Sequence, residues 1–249
     1  MRIPILLPKI FDYPLTYEKG LKDKLSIGDF VQVPFGSKET VGIVWHSIKK
    51  TEKKFKLKKI IKKIDLPPIN KNLVGFIDWF SKYNMVPLGL SLKLCLTSQI
   101  NSKNFNDKLF TKYRIPKKSK NFLLNLEQKK SFLELNKSDP NHNVTVLEGA
   151  TGSGKTIVYF ERIKEILKKG YQTLILLPEI ALTTQFKSRF EEYFGSEAAI
   201  WHSKITPKNK KILWNGIIKN KIKVLIGARS ALFLPFSKLG LIIVDEEHD

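Results

Sequence analysis

Gly149-Ala150-Thr151-Gly152-Ser153-Gly154-Lys155-Thr156 is the stretch whose reading decides the fold. It satisfies the phosphate-loop pattern G-x-x-x-x-G-K-[ST] at every specified position. Just upstream, Val144-Thr145-Val146-Leu147 reads as a buried strand, and just downstream apolar residues recur with helical spacing across 155–168. Glycines let the backbone curl until successive N–H groups point inward, and the helix N-terminus adds its dipole to the same spot. Gly149, Ala150, Thr151, Gly152, Ser153, Gly154, Lys155 and Thr156 are therefore the expected nucleotide-binding residues. Lys155 is expected to reach the β- and γ-phosphates and the Thr156 hydroxyl to ligate Mg²⁺, so the cofactors this motif calls for are ATP and Mg²⁺.

Outward from the loop, toward the C-terminus, helix and strand alternate: helix 122–137, strand 144–148, helix 155–168, strand 172–177, helix 180–194, strand 198–201, helix 207–220, then strands 222–226 and 240–244. Such alternation predicts an α/β lobe with a parallel sheet covered on both faces. The strand sequences are apolar throughout, as burial on both faces requires, and ligands are expected at the strands' carboxyl ends. Leu241-Ile242-Ile243-Val244 delivers Asp245-Glu246-Glu247 to that edge. Asp245 is the expected metal partner and Glu246 the group that orients and deprotonates an attacking water, which makes Lys155, Asp245 and Glu246 the expected catalytic set.

Toward the N-terminus the rhythm is different. Short β-like runs at Ile3–Leu7, Phe30–Phe35, Val41–Ile48 and Leu57–Ile64 are separated by turn residues, and helical spacing follows at Leu73–Phe80 and Leu88–Leu96. The expected organisation is a small β-rich DNA-binding domain over 1–104, a linker over 105–120 and an α/β lobe over 121–249. The chain carries 44 basic and 23 acidic residues, net +21, a field that attracts polyanions. The excess is uneven, +16 over residues 1–125 (25 basic, 9 acidic) against +5 over 126–249 (19 basic, 14 acidic). Only five of the basic residues are arginine, so a lysine-rich compositional bias is the competing reading of that charge. One cysteine, Cys95, leaves no internal disulfide and no cysteine-based zinc cluster within these 249 residues. No apolar run approaches the roughly 18 residues of a membrane span and no secretion signal is read, so a cytoplasmic location is expected.

Further stretches carry a family resemblance. Asp245-Glu246-Glu247-His248 is similar to the acidic box of superfamily 2 helicases. Together with LEGATGSGKT (147–156), LLPEIALTTQ (176–185), WHSKITPKNK (201–210) and IGARSALFLPFSKLGLIIVDEEHD (226–249), it makes the second half resemble the primosomal replication-restart helicases. In the first half FDY (11–13), VPFG (33–36), GIVW (42–45) and LKKIIKKID (57–65) are similar to that family's domain for the 3′ end of a nascent strand. The resemblance implies a RecA-like P-loop lobe and an ATP-dependent 3′-to-5′ DNA helicase of replication restart and primosome assembly. It implies that Gln128 contacts adenine, that Thr183, His202, Ser203 and Arg229 meet single-stranded DNA, and that Asp12, Tyr13, Gly36 and Lys58 hold the terminal 3′ nucleotide. A carboxylate can accept from a 3′-hydroxyl, an aromatic can stack on a base and an ammonium can meet phosphate; Phe11 and Tyr13 could equally be core residues of a first strand. Implied partners are DNA forks, single strands and 3′ ends, other primosome proteins, single-strand-binding protein and the loader of the replicative helicase. Zinc is expected in full-length members, without ligands here.

Two departures from the family pattern shape the expectation. Residues 101–120 stand where members carry a winged helix, and the chain stops at Asp249 without a second motor lobe. A fragment that binds nucleotide and DNA with little hydrolysis and no unwinding is therefore expected. Two other readings stay open: a different superfamily 2 translocase without a 3′-end pocket, and a non-catalytic DNA-binding module using the ATP fold as scaffold.

Overall fold

The computed structural model describes residues 1–20, 22–46, 57–96, 106–116, 122–137, 144–150, 152–179 and 184–245. They fall into two units, one of residues 1–109, 203–221 and 230–237, the other of residues 110–202, 222–229 and 238–249.

In the first unit the alternating apolar residues form five antiparallel strands: β1 (Arg2–Leu6), β2 (Leu15–Glu18), β3 (Phe30–Phe35), β4 (Lys38–Val44) and β5 (Lys62–Lys63), ordered β2-β1-β4-β3-β5. One face closes over Ile3, Ile5, Leu7, Tyr17, Val31, Val33, Val44 and Ile60. The predicted run at 57–64 contracts to two residues, because its lysines can pair only where their side chains still reach water, along the sheet's edge. Strand β2, Leu-Thr-Tyr-Glu, is too short to announce itself by alternation, yet it pairs with β1 from Arg2↔Glu18 to Ile5↔Leu15. Gly36 (φ +61°) takes the first place in the two-residue β3–β4 turn, where positive φ matches the strand twist.

Helix α1 (Lys71–Tyr83) begins at Asn70, whose side chain accepts from the Leu73 N–H (2.8 Å) and donates to the Phe236 carbonyl (2.8 Å). Helix α2 (Leu88–Cys95) starts after Pro87 and lies so close to the chain leaving β1 that a Cβ built on Gly89 would fall 2.2 Å from the Lys9 carbonyl oxygen and 2.4 Å from that of Leu7. Helix α6 (Pro207–Ile218) belongs to this unit as well: Trp214 donates its indole N–H to the Cys95 carbonyl (2.7 Å) and meets Phe30 edge-on.

The second unit holds a parallel sheet of β6 (Gln172–Leu176), β7 (Ala199–Trp201), β8 (Val224–Gly227) and β9 (Leu239–Val244), ordered β7-β8-β6-β9. Central β6 and β8 are buried at every position, including the polar Gln172 and Thr173 that open β6. Helices α4 (Lys155–Lys168) and α5 (Thr184–Phe194) bury Phe160, Ile163, Phe190, Tyr193 and Phe194 against the sheet. Helix α3 (Leu126–Lys137) begins four residues after the predicted start. The segment read as a linker contains a 3₁₀ turn, Asp107–Tyr113, with Phe110 buried and Lys112 paired to Glu197 at 2.8 Å.

Two expectations fail here. Val144–Leu147 forms no strand, and Val144 and Val146 are 97% and 70% exposed. Strand β9 alternates between half-buried and exposed residues instead of being buried on both faces. The causes are linked. Apolar composition reports a tendency to be buried, while a strand also needs a ladder partner. Among the described residues β9 pairs only with β6 and so stands at the sheet's edge.

Candidate functional site

Parallel pairing brings the carboxyl ends of all four strands to one edge of the sheet. Asp245 follows β9 there, its N–H bonded to the Leu176 carbonyl at the end of β6 (3.1 Å). His202 follows β7 and Arg229 follows β8, fixed side by side by the Trp201↔Gly227 pair and the Ala228 N–H to Trp201 carbonyl bond (3.1 Å). The strand order thus sets Asp245 at one end of the rim and His202 at the other, three strand spacings apart, about 14 Å.

The phosphate loop needs its glycines. Gly152 (φ +82°) and Gly154 (φ +87°) adopt the left-handed region, and Gly154 is the residue from which α4 starts. A Cβ on Gly154 would also lie 2.4 Å from the Gln128 side-chain nitrogen. Lys155 folds back onto its own loop, donating to the carbonyls of Gly149 and Ala150. A cation held by two carbonyl dipoles at the opening of a helix is already where phosphate oxygens would replace those acceptors.

Gln128 sits against this loop. Its amide nitrogen donates to the Ser153 carbonyl (3.1 Å), while its oxygen accepts from the Asn125 N–H (3.0 Å) and Asn125 returns a bond to the Gln128 N–H (2.9 Å). The reciprocal pair is a capping box that starts α3, so one residue both anchors a helix and braces the loop.

Tyr159 carries a signal that motif reading passed over. It lies one turn along α4 from Lys155, and its hydroxyl donates to the Asp245 carboxylate (2.8 Å). Burial first, then the charge of Asp245, raise the phenol well above its ordinary range, so it remains a proton donor at any working pH. Asp245, one of the two expected metal ligands, is thereby tied to the helix that carries the other, Thr156. An aliphatic hydroxyl and a carboxylate are hard oxygen donors, few enough to leave water in the remaining positions, a set that suits Mg²⁺.

In the first unit the structure gathers the residues expected at a DNA 3′ end. Lys58 donates to the carbonyl of Gly36 (3.1 Å), the ring of Phe35 just before it meets Phe11 edge-on (5.8 Å), and Phe11 meets Tyr13 (6.2 Å). Asp12 and Tyr13 are exposed, Tyr13 by 54%. The Gly89 N–H to Phe11 carbonyl bond (2.8 Å) fixes this loop from below, a contact no motif announces. Ser203 is exposed just before α6, and Lys210 donates to its carbonyl (3.2 Å). Thr151, Thr183 and Glu246 lie outside the described residues.

Comparison with known proteins matches two stretches of the chain to known families. Residues 2–97 match a family described as 3′ DNA-binding domain (3′BD), and residues 114–249 match one described as Type III restriction enzyme, res subunit. The second match spans more than half of the chain, which belongs to that family of RecA-like P-loop lobes. The curated relatives that the chain matches share a narrower name, replication restart protein PriA. The protein of that name from Rickettsia conorii is 45% identical over 100% of this chain and 38% of its own length. That from Haemophilus influenzae is 30% identical over 99% of the chain and 44% of its own, and that from Bacillus subtilis 40% identical over 58% and 18%. The chain thus spans less than half the length of these curated relatives.

Proposed function

We propose that this chain supplies the ATP-binding lobe and the DNA-end site of an ATP-dependent 3′-to-5′ DNA helicase that restarts replication at stalled or repaired forks in the cytoplasm. The observation that carries the reading is the Tyr159–Asp245 hydrogen bond, because it unites the helix of the phosphate loop with the acidic strand end at the same sheet edge that presents His202 and Arg229. Thr156 and Asp245 would hold Mg²⁺, which would supply positive charge beside the phosphates as negative charge develops. Lys155 neutralises the same phosphates, Glu246 orients the water that attacks, and Gln128 reads the adenine or braces the loop beneath it. His202, Ser203, Thr183 and Arg229 touch the single-stranded backbone, so nucleotide and DNA act on opposite ends of one rim. Asp12, Tyr13, Gly36 and Lys58 receive the terminal 3′ nucleotide. In the whole protein, primosome proteins, single-strand-binding protein and the helicase loader are the partners this role calls for.

Titration of the chain with a fluorescent ATP analogue in excess Mg²⁺ tests the reading. Lys155→Ala removes a charge-assisted contact of roughly 1.5–3 kcal/mol and is expected to weaken binding about tenfold or more. Equal affinity of the two proteins would remove Lys155, and the phosphate site with it, from the account.

A further inference from the structure

We infer that Tyr159 is a positioning residue for the magnesium ion, its hydroxyl holding the Asp245 carboxylate toward the helix that carries Thr156, as Mg²⁺–nucleotide requires. The inference rests on the nucleotide reading above and names a part of that site which no sequence motif specifies.

Geometry carries the argument. Asp245 stands at the end of β9, which among the described residues pairs only with β6, so that strand alone fixes its backbone. A carboxylate placed that way needs an outside group to fix its rotamer. Tyr159 provides one from a different element, and the ring is 7% exposed and packed edge-on against Phe160 at 5.2 Å, so the hydroxyl has little freedom to swing. Thr156 and Tyr159 are three residues apart and therefore share a face of α4. The phenol has a single proton and donates it to Asp245. The Tyr159 hydroxyl thus presets the orientation of one ligand from the helix that carries the other. A phenol does this without cancelling the aspartate's charge, which a lysine in its place would do. Packing alone does not explain tyrosine here, since phenylalanine would fill the same space with no buried hydroxyl to satisfy.

The test measures binding of the fluorescent ATP analogue by the chain as a function of free Mg²⁺ and, separately, in EDTA. Tyr159→Phe keeps the ring and is expected to leave affinity in EDTA unchanged while raising the Mg²⁺ concentration for half-maximal effect about tenfold, the scale typical of groups that orient metal ligands. In an Asp245→Asn background the same change is expected to add nothing, because its effect passes through that carboxylate. Wild-type-like Mg²⁺ dependence in Tyr159→Phe, or a full additional loss in the double variant, overturns the inference. Wild-type protein whose nucleotide binding ignores Mg²⁺ instead overturns the nucleotide reading beneath it. Should the phenylalanine variant fail to fold, 3-fluorotyrosine at 159 serves as a nearly isosteric reporter: its ¹⁹F resonance is expected to move when Mg²⁺ joins the nucleotide complex, and an unmoved resonance counts against the proposal.

Discussion

Lys58 is one lysine among many, and its position rather than its charge singles it out. Its backbone carbonyl accepts from the Glu18 N–H (2.9 Å) while its ammonium crosses to Gly36 at the β3–β4 turn, so the side chain is delivered from a fixed base. Lys58→Ala is expected to weaken binding of a short oligonucleotide with a free 3′ end about three- to tenfold, measured by anisotropy, as loss of one phosphate contact would. Unchanged affinity would return Lys58 to the general basic surface. Residues whose chemistry is set by spacing were legible: the phosphate-loop glycines, Lys155, and the carboxylate ending an apolar run. Tyr159 and Gln128 were less so for a physical reason. An aromatic on the apolar face of a helix reads as core, and only the folded sheet shows that its hydroxyl meets Asp245. Gln128 could be named as a nucleotide contact by resemblance, but its reach to Ser153 depends on where α3 lies.

At the scale of elements, periodicity located helices α1, α4 and α5 and the central strands, because each has a stripe or a run that must be buried. It failed where an element depends on a neighbour: β2 exists through its register with β1, and Val144–Leu147 has the composition of a strand without a ladder. The alternating exposure of β9 belongs to the same lesson, since its sequence is as apolar as that of β6 and only its place in the order differs. Helix α2 supplies the sharpest prediction at this scale. With two carbonyl oxygens within 2.4 Å of any Cβ at position 89, Gly89→Ala must push α2 away from the loop that carries Asp12 and Tyr13. Overpacking of this kind costs about 1–3 kcal/mol, so a lower thermal midpoint together with weaker 3′-end binding is expected. A variant as stable and as tight-binding as the parent would show that the loop does not depend on the helix.

For the molecule as a whole, the charge excess of the first half accompanies the unit that holds Asp12, Tyr13, Gly36 and Lys58, and the more balanced second half carries the parallel sheet and phosphate loop. General basicity attracts any nucleic acid and discriminates little, whereas a built pocket distinguishes one strand terminus from another. That contrast separates a restart protein from other P-loop translocases and from a passive DNA-binding module. Competition between otherwise identical forked DNAs, one ending in a free 3′-hydroxyl and one in a 3′-phosphate, measures it directly at an ionic strength where non-specific binding is weak. The account predicts that the free 3′-hydroxyl fork wins and that Lys58→Ala narrows its advantage; equal competition by the two forks would contradict the 3′-end site on which the replication-restart reading depends.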